Sequence, residues 1–481
     1  MFDLTLRGGT IVTPEAILAA DLGVRGGQIA AIEPSLPAGR EDVDATGLHV
    51  LPGGVDSHVH VDQTFSSGAQ IADDFASGSA SALAGGTTTI LSFVMQPRGG
   101  SLRAAAATQH RLARRSRCDH SFHLTITDPT PEVLEHELPQ LIAEGNRSIK
   151  IFMANASTRL TDAQILPVLA AARTHGALVC IHAEHHELIE WLTARLLAQG
   201  ITAPKALAMA KPMLVEREAT HRILALAEAL DTPIQIFHVS GRESAEEVAR
   251  AQARGVKAWA ETCAQYFVLT AADLDRPGME GAKFMFAPPA RTVADQENLW
   301  QRINDGTITL VTSDHSPLNF NDPKGKMFAG PDAPFSKIPN GVPGLAARLP
   351  IVFTKGVHEG RIDLRKFVDL VSANPAKLFG MYPKKGALAI GSDADLILWD
   401  ATRSRNLANS DMHHGPDHTP YEGLPTVGVP LRTYLRGQLA FDGETVLAEP
   451  GTGHFVPRGP YEFIRPSGRF PAGFDPYLEL D

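Results

Sequence analysis

Residues 51–60 read LPGGVDSHVH, a short apolar run that ends in two histidines two positions apart, His58 and His60. It is the first of eight such runs, which start near Val55, Thr88, His120, Ser148, Ala177, Pro233, Val256 and Thr307. The stretches between them, such as SLRAAAATQHRLARR (101–115) and DAQILPVLAAARTHG (162–176), have the length and apolar period of helices. Continuous apolar strands suit a parallel sheet covered on both faces by helices, and eight β/α units suit a closed (β/α)8 TIM barrel. An open, doubly wound sheet would instead carry a phosphate-binding glycine loop after its first strand, and LPGGVDSHVH has no G-x-G-x-x-G. The expected fold is therefore α/β, with a barrel as its main body.

Outside these runs the texture changes. DLTLRGGTIV (3–12) and LGVRGGQIAAI (22–32) are short strands turning on Arg-Gly-Gly, and GSDADLILWD (391–400) and PLRTYLRGQLAFDGETV (430–446) repeat that texture near the other end. A small β-sandwich built from both chain termini accounts for this. The expected division is 1–53 plus 386–450 for that unit, 54–385 for the barrel, and 451–481 for a C-terminal tail that makes oligomer contacts.

Of the 481 residues, 43% are hydrophobic and 20% charged, as in an average globular protein. A formal charge of −10 gives no reason to expect nucleic acid or an anionic membrane as a partner. Three scattered cysteines, Cys118, Cys180 and Cys263, make no disulfide framework and suit a reducing cytoplasm. MFDLTLRGG lacks the plan of a signal peptide, and no apolar run is long enough to span a bilayer. A soluble cytoplasmic protein is expected. Its distinctive feature is 19 histidines.

The chemistry-bearing residues collect where strands end. Side chains at i and i+2 of a strand share a side, so His58 and His60 can reach one ion. Lys150 closes the run SIK, His182 closes ALVCIH, His238 closes PIQIFH and Asp314 closes ITLVTSD. In a barrel these ends converge on the face where active sites lie. Singly, His182 or His238 is more often a hydrogen-bonded core histidine, and Asp314 could be a helix N-cap. Together they read as a metal set. His185, His186 and His315 are expected at helix starts or behind the ligands, and His413 and His414 are expected to face solvent.

Lys150 is the least ordinary member. An ammonium inside a barrel is costly, and burial beside cations favours the neutral amine. A neutral amine can take up carbon dioxide to give a carbamate, an anion able to bridge two cations. The alternatives are a lysine that snorkels to the barrel mouth or pairs with Asp314.

HVH at His58, NRSIKIFM around Lys150, IHAEH at His182, FHVSG at His238 and TSDHSP at Asp314 together resemble the cyclic amidohydrolases, in the hydantoinase/dihydropyrimidinase branch. DDFASGSASALAGGTTTI from Asp73, ETCAQY from Glu261, APPAR from Ala287, KIPNGVPG from Lys337 and HHGPDHTPYEG from His413 extend the likeness to near residue 455. The resemblance implies two divalent metal ions, zinc by preference. One would be held by His58, His60, carbamylated Lys150 and Asp314, the other by Lys150, His182 and His238. It further implies that a hydroxide bridging the ions attacks the ring carbonyl, with Asp314 moving the proton. Asn340 and the segment near Ala287 would hold the substrate's amide edge. A homotetramer or homodimer is implied as well.

Two positions depart from the branch. Its tyrosine five residues after the lysine, which stabilises the oxyanion, is here Asn155, and its serine near the substrate amide is here Ala287. Dihydroorotases resemble HxHxR, but the arginine position is Asp62, an acid that would repel a carboxylate-bearing substrate. Allantoinases continue differently from VDQTFSSG. The expected reaction is the opening of a neutral cyclic amide (a hydantoin, a dihydropyrimidine or an imide). An allantoinase- or dihydroorotase-like hydrolase is the alternative. A scaffold that has lost its metals is disfavoured by the complete ligand set, and a mononuclear deaminase by Lys150.

Overall fold

The computed structural model describes residues 1–470 and 475–477. Among the described residues, sixteen strands fall into two sheets. Strands β1 (Leu4–Val12), β2 (Ile17–Arg25), β3 (Gln28–Glu33), β4 (Glu41–Asp44) and β5 (His49–Pro52) come from the N-terminal end. The barrel follows as β6 (Gly54–Val59), β7 (Thr87–Met95), β8 (Asp119–Thr125), β9 (Ser148–Phe152), β10 (Leu178–His182), β11 (Ile234–Ile236), β12 (Ala258–Cys263) and β13 (Ile308–Thr312). Strands β14 (Leu396–Asn406), β15 (Pro425–Leu435) and β16 (Gln438–Phe441) return to the first sheet.

The barrel strands pair in parallel in chain order. The seam between β13 and β6 is closed by a bridge from Val59 to His315, with the His60 N–H donating to the His315 carbonyl at 2.7 Å. Beneath that seam, fully buried Arg348 donates to the carbonyls of Val55 and Val311 and pairs with Asp56 at 3.3 Å. Alternation sorts the strand residues into layers. Val55, Leu91, Phe93, Leu178, Cys180, Phe237 and Leu310 fill the interior with Phe379 and Met381, while Ile90, Val94, Val179 and Ile181 pack outward against helices. Local signals start the helices where they are needed. Asp74 accepts from the amides of Ala76 and Ser77 to begin α1 (Phe75–Ala84).

The terminal strands form one mixed sheet in the order β16-β15-β14-β5-β1-β2-β3, with β4 beside β1. Buried Lys385 joins it to the barrel floor, its ammonium reaching Asp393 and Asp395 at 2.9 Å each and also Asp119. The start of the expected tail packs on its own barrel. His120 exchanges backbone hydrogen bonds with His454 and Val456, and buried Arg458 donates to Ser148 Oγ at 2.9 Å. Residues 471–474 and 478–481 of that tail lie outside the described residues. Among the described residues, no helix is long and apolar enough to cross a membrane.

Candidate active site

The six residues singled out in the sequence gather at the C-terminal end of the barrel. His58 lies in β6, and His60 is the next residue on the same side. Lys150 is the middle residue of β9, His182 the last of β10, and His238 and Asp314 follow β11 and β13 by two residues. Asp314 Oδ1 lies 3.1 Å from His58 Nε2 and 3.5 Å from His60 Nε2, so three donor atoms converge on one point. The His182 and His238 rings meet edge to face with centroids 4.6 Å apart, and the His238 ring centroid is 5.4 Å from that of His58. His238 (φ +40°) and Asp314 (φ +44°) both occupy left-handed backbone, a strain that persists where the surroundings demand it.

Each imidazole is oriented from behind. Glu261 takes the Nδ1 side of His58, and Gln63 Oε1 takes His60 Nδ1 at 2.9 Å, so both rings keep Nε2 toward Asp314. Glu184 Oε2 accepts from His182 Nε2 at 2.7 Å and from Lys211 at 2.6 Å, leaving Nδ1 of that ring with its lone pair free to bind an ion. His238 Nδ1 is buried without a partner among the described residues. Burial, reinforced by neighbouring cationic groups, pushes His58 and His238 well below the usual imidazole range, and burial also lowers His182. Neutral imidazoles are the form that binds a cation. Burial raises Glu261 well above the usual carboxylate range; at Glu184 burial pulls the same way, but the charges and hydrogen bonds of Lys211 and His182 together outweigh it and lower that carboxyl to about 2.

Lys150 is 1% exposed, and its amine makes no ion pair among the described residues. Neither snorkelling to the mouth nor pairing with Asp314 describes it. Its Nζ lies 4.1 Å from the Phe237 ring centroid and 4.7 Å from that of Phe152. Burial lowers its pKa to about 8, against the opposing pull of Glu261 and Asp314. The donor set fits divalent ions on these observations: converging Nε2 and carboxylate atoms, an orphaned imidazole nitrogen, and a buried amine without a counter-ion.

The remaining expectations divide. Asn155 is exposed on the loop after β9 at φ +72°. Ala287 is half-buried ahead of a cis bond to Pro288, and Asn340 is half-buried with its Oδ1 unpartnered. His185 caps a helix by accepting the Leu188 N–H, and buried His315 bonds Asp73 at 2.9 Å. His413 and His414 are half-buried rather than solvent-facing, since His414 Nε2 is fixed to Asn409 at 2.8 Å. The Asp62 carboxylate turns to the Phe75 N–H and Arg115, so its charge is already matched and repels a substrate acid less than its sequence position suggests. Sequence reading gave no role to Glu261, Glu184, Gln63 or Lys211. Glu261 and Glu184 were visible only as parts of ETCAQY and IHAEH.

The amidohydrolase family profile matches residues 49–440. The chain is 45% identical over 463 residues to a D-hydantoinase of Rhizobium radiobacter, covering 96% of this chain and all of that one. It is 44% identical to a D-hydantoinase of Ralstonia pickettii, again over 96% and 100%. A crystal structure of dihydropyrimidinase from Brevibacillus agri NCHU1002 superposes with a TM-score of 0.92 at 38% identity, over 95% of this chain and 99% of that one.

Proposed function

Because the chain belongs to the amidohydrolase family, in its hydantoinase/dihydropyrimidinase branch, we propose that its substrates are 5-substituted hydantoins, taken as the D-enantiomer. It is a metal-dependent hydrolase of cyclic amides that acts on C–N bonds other than peptide bonds. The finer choice of ring rests on the names of its relatives, at 45% and 44% identity. Dihydropyrimidines and imides are the neighbouring rings in the same chemical class.

The observation that carries the site assignment is the convergence of His58, His60 and Asp314 beside the His182–His238 pair, with Lys150 buried and uncompensated between aromatic rings. In this reading His58, His60, Lys150 and Asp314 would hold one ion and Lys150, His182 and His238 the other, with Lys150 as its carbamate. Two divalent ions, zinc in our reading, would supply Lewis-acid activation of water and of the ring carbonyl. Asp314, within hydrogen-bond reach of His58, takes the proton of the attacking water and passes it to the leaving ring nitrogen. Ala287 and Asn340 line the substrate's amide edge, and Asn155 stands where the loop after β9 meets the ring. Residues 1–53 with 386–450 act as a supporting β unit, the barrel at 54–385 carries the site, and the tail from 451 contributes to a homotetramer or homodimer in the cytoplasm.

Metal analysis alongside turnover of the D- and L-forms of a 5-substituted hydantoin, dihydrouracil and a cyclic imide tests the reading. About two divalent ions per chain, with the D-hydantoin opened fastest, is the expected result. Stoichiometric metal with no ring opened would remove the substrate class.

A further inference from the structure

Lys326 lies in the loop after β13, and its amine is fully buried. Among the described residues no carboxylate pairs with it. Its Nζ donates instead to two backbone carbonyls, that of Met285 at 2.8 Å and that of Pro339 at 3.0 Å. These carbonyls belong to two separate segments. Met285 stands two residues before Ala287, and Pro339 immediately precedes Asn340. A second bond, from the Gly341 N–H to the Met285 carbonyl at 2.9 Å, ties the same two segments. The outer side of the first segment is fixed by Tyr266, whose hydroxyl donates to the Pro288 carbonyl at 2.8 Å. Lys326 itself is anchored by its N–H to the Asn319 carbonyl at 2.8 Å.

We propose that Lys326 is a positioning residue that sets the gap between the Ala287 and Asn340 edges and thereby the size of ring the site accepts. This rests on the assignment of those two edges to the substrate's amide. An apolar side chain in place of the amine leaves the Pro339 carbonyl without its donor and the Met285 carbonyl with the Gly341 N–H alone, and the segments must separate to let water in. Burial lowers the amine's pKa to about 7, and its neutral form has two N–H groups, the number of carbonyls it serves. Placement errors of an ångström at a reacting site cost up to about 10²-fold in rate, so a widened gap discriminates strongly between five- and six-membered rings.

The test compares metal-loaded wild type with Lys326→Met and Lys326→Arg, using hydantoin and dihydrouracil as probes and amide hydrogen exchange as a second readout. For Lys326→Met we expect full metal content, a shift of about tenfold in the ratio of kcat/KM between the two rings, carried mainly by KM, and faster exchange at Gly341. Lys326→Arg keeps donors but lengthens the reach, so the ring preference shifts while Gly341 stays protected. That variant decides the matter if Lys326→Met does not fold. Equal loss on both rings with a general fall in exchange protection would mark a merely structural lysine and overturn the proposal, as would unchanged ring preference. Should wild type open neither ring, the substrate reading falls, and exchange at Gly341 alone decides: acceleration in Lys326→Met supports the link, and an unchanged rate overturns it.

Discussion

The Lys150 amine stands 4.1 Å from the centroid of the Phe237 ring. An aromatic face attracts a cation and offers nothing to an anion. The carbamate that the binuclear reading requires is therefore unsupported by its surroundings until cations arrive, and the cations lack an anionic bridge until the carbamate forms. Each depends on the other. After chelation and exchange into carbon dioxide-free buffer, zinc alone should restore little activity, and zinc with bicarbonate should restore about two ions per chain and full turnover. Lys150→Ala should lose both, with partial recovery on adding a short carboxylic acid. Full reloading without bicarbonate, followed by elemental analysis, would dispose of the bridging role.

Glu261 is the group that fixes which nitrogen of His58 faces Asp314. It is completely buried and also accepts from Gln235 Nε2 at 3.1 Å, so its position is set independently of any ion. Removing such a partner typically weakens metal binding by about 10–100-fold. Glu261→Ala should show that loss in competition with a chromophoric chelator, while Glu261→Gln, which keeps an acceptor oxygen, should lose less. Equal affinities in the two variants and wild type would mean that the His58 ring is oriented by packing alone.

Much of this site was legible in the sequence because a barrel converts strand order into spatial convergence. The starts of all eight runs lie within two residues of the strands, and Lys150 and His182 are brought together by the direct pairing of β9 with β10. What stayed hidden were pairs that no local spacing encodes. Glu261 reaches His58 across 203 residues, and Lys211 reaches Glu184 from a loop rather than a strand. Lys326 sits in a polar stretch, NDPKGKMF, whose composition reads as exposed loop. Its burial follows from the packing of Phe320, Met285, Phe335 and Ile338 around that loop, which is a tertiary property.

Asn155 occupies left-handed backbone at φ +72°, and its carbonyl accepts from the Arg159 N–H at 2.9 Å. Asparagine tolerates that conformation better than an aromatic residue does. Asn155→Tyr, which returns a phenolic donor to the loop, should raise kcat on hydantoin about tenfold with little change in KM. It should cost about 1 kcal/mol of stability from the strained backbone. Steady-state kinetics with thermal melts separate the two effects. No gain in kcat would show that another group already serves the oxyanion and that position 155 is not where that donor acts.

The buried amine of Lys326 also makes a prediction about stability and pH. Desolvation takes its pKa from an ordinary value of 10.5 to about 7 in the folded protein. Between those values the unfolded chain binds a proton that the folded chain does not, so stability rises with pH across that window. Below about pH 7 both states are charged and the full cost of the buried ammonium applies; above about pH 10.5 both are neutral and the cost vanishes. The limiting slope is about 1.4 kcal/mol per pH unit, so two units inside the window carry about 3 kcal/mol at most. Lys326→Met has no such proton. The difference in unfolding free energy between wild type and Lys326→Met, measured with urea at pH 6, 7.5 and 9.5, should be flat at the acid end and then move in favour of wild type. Taking the difference cancels the pH dependence of metal binding, which both proteins share. A difference that stays constant from pH 6 to 9.5 would mean that the amine is charged throughout, and that the two carbonyls hold an ammonium rather than a neutral donor.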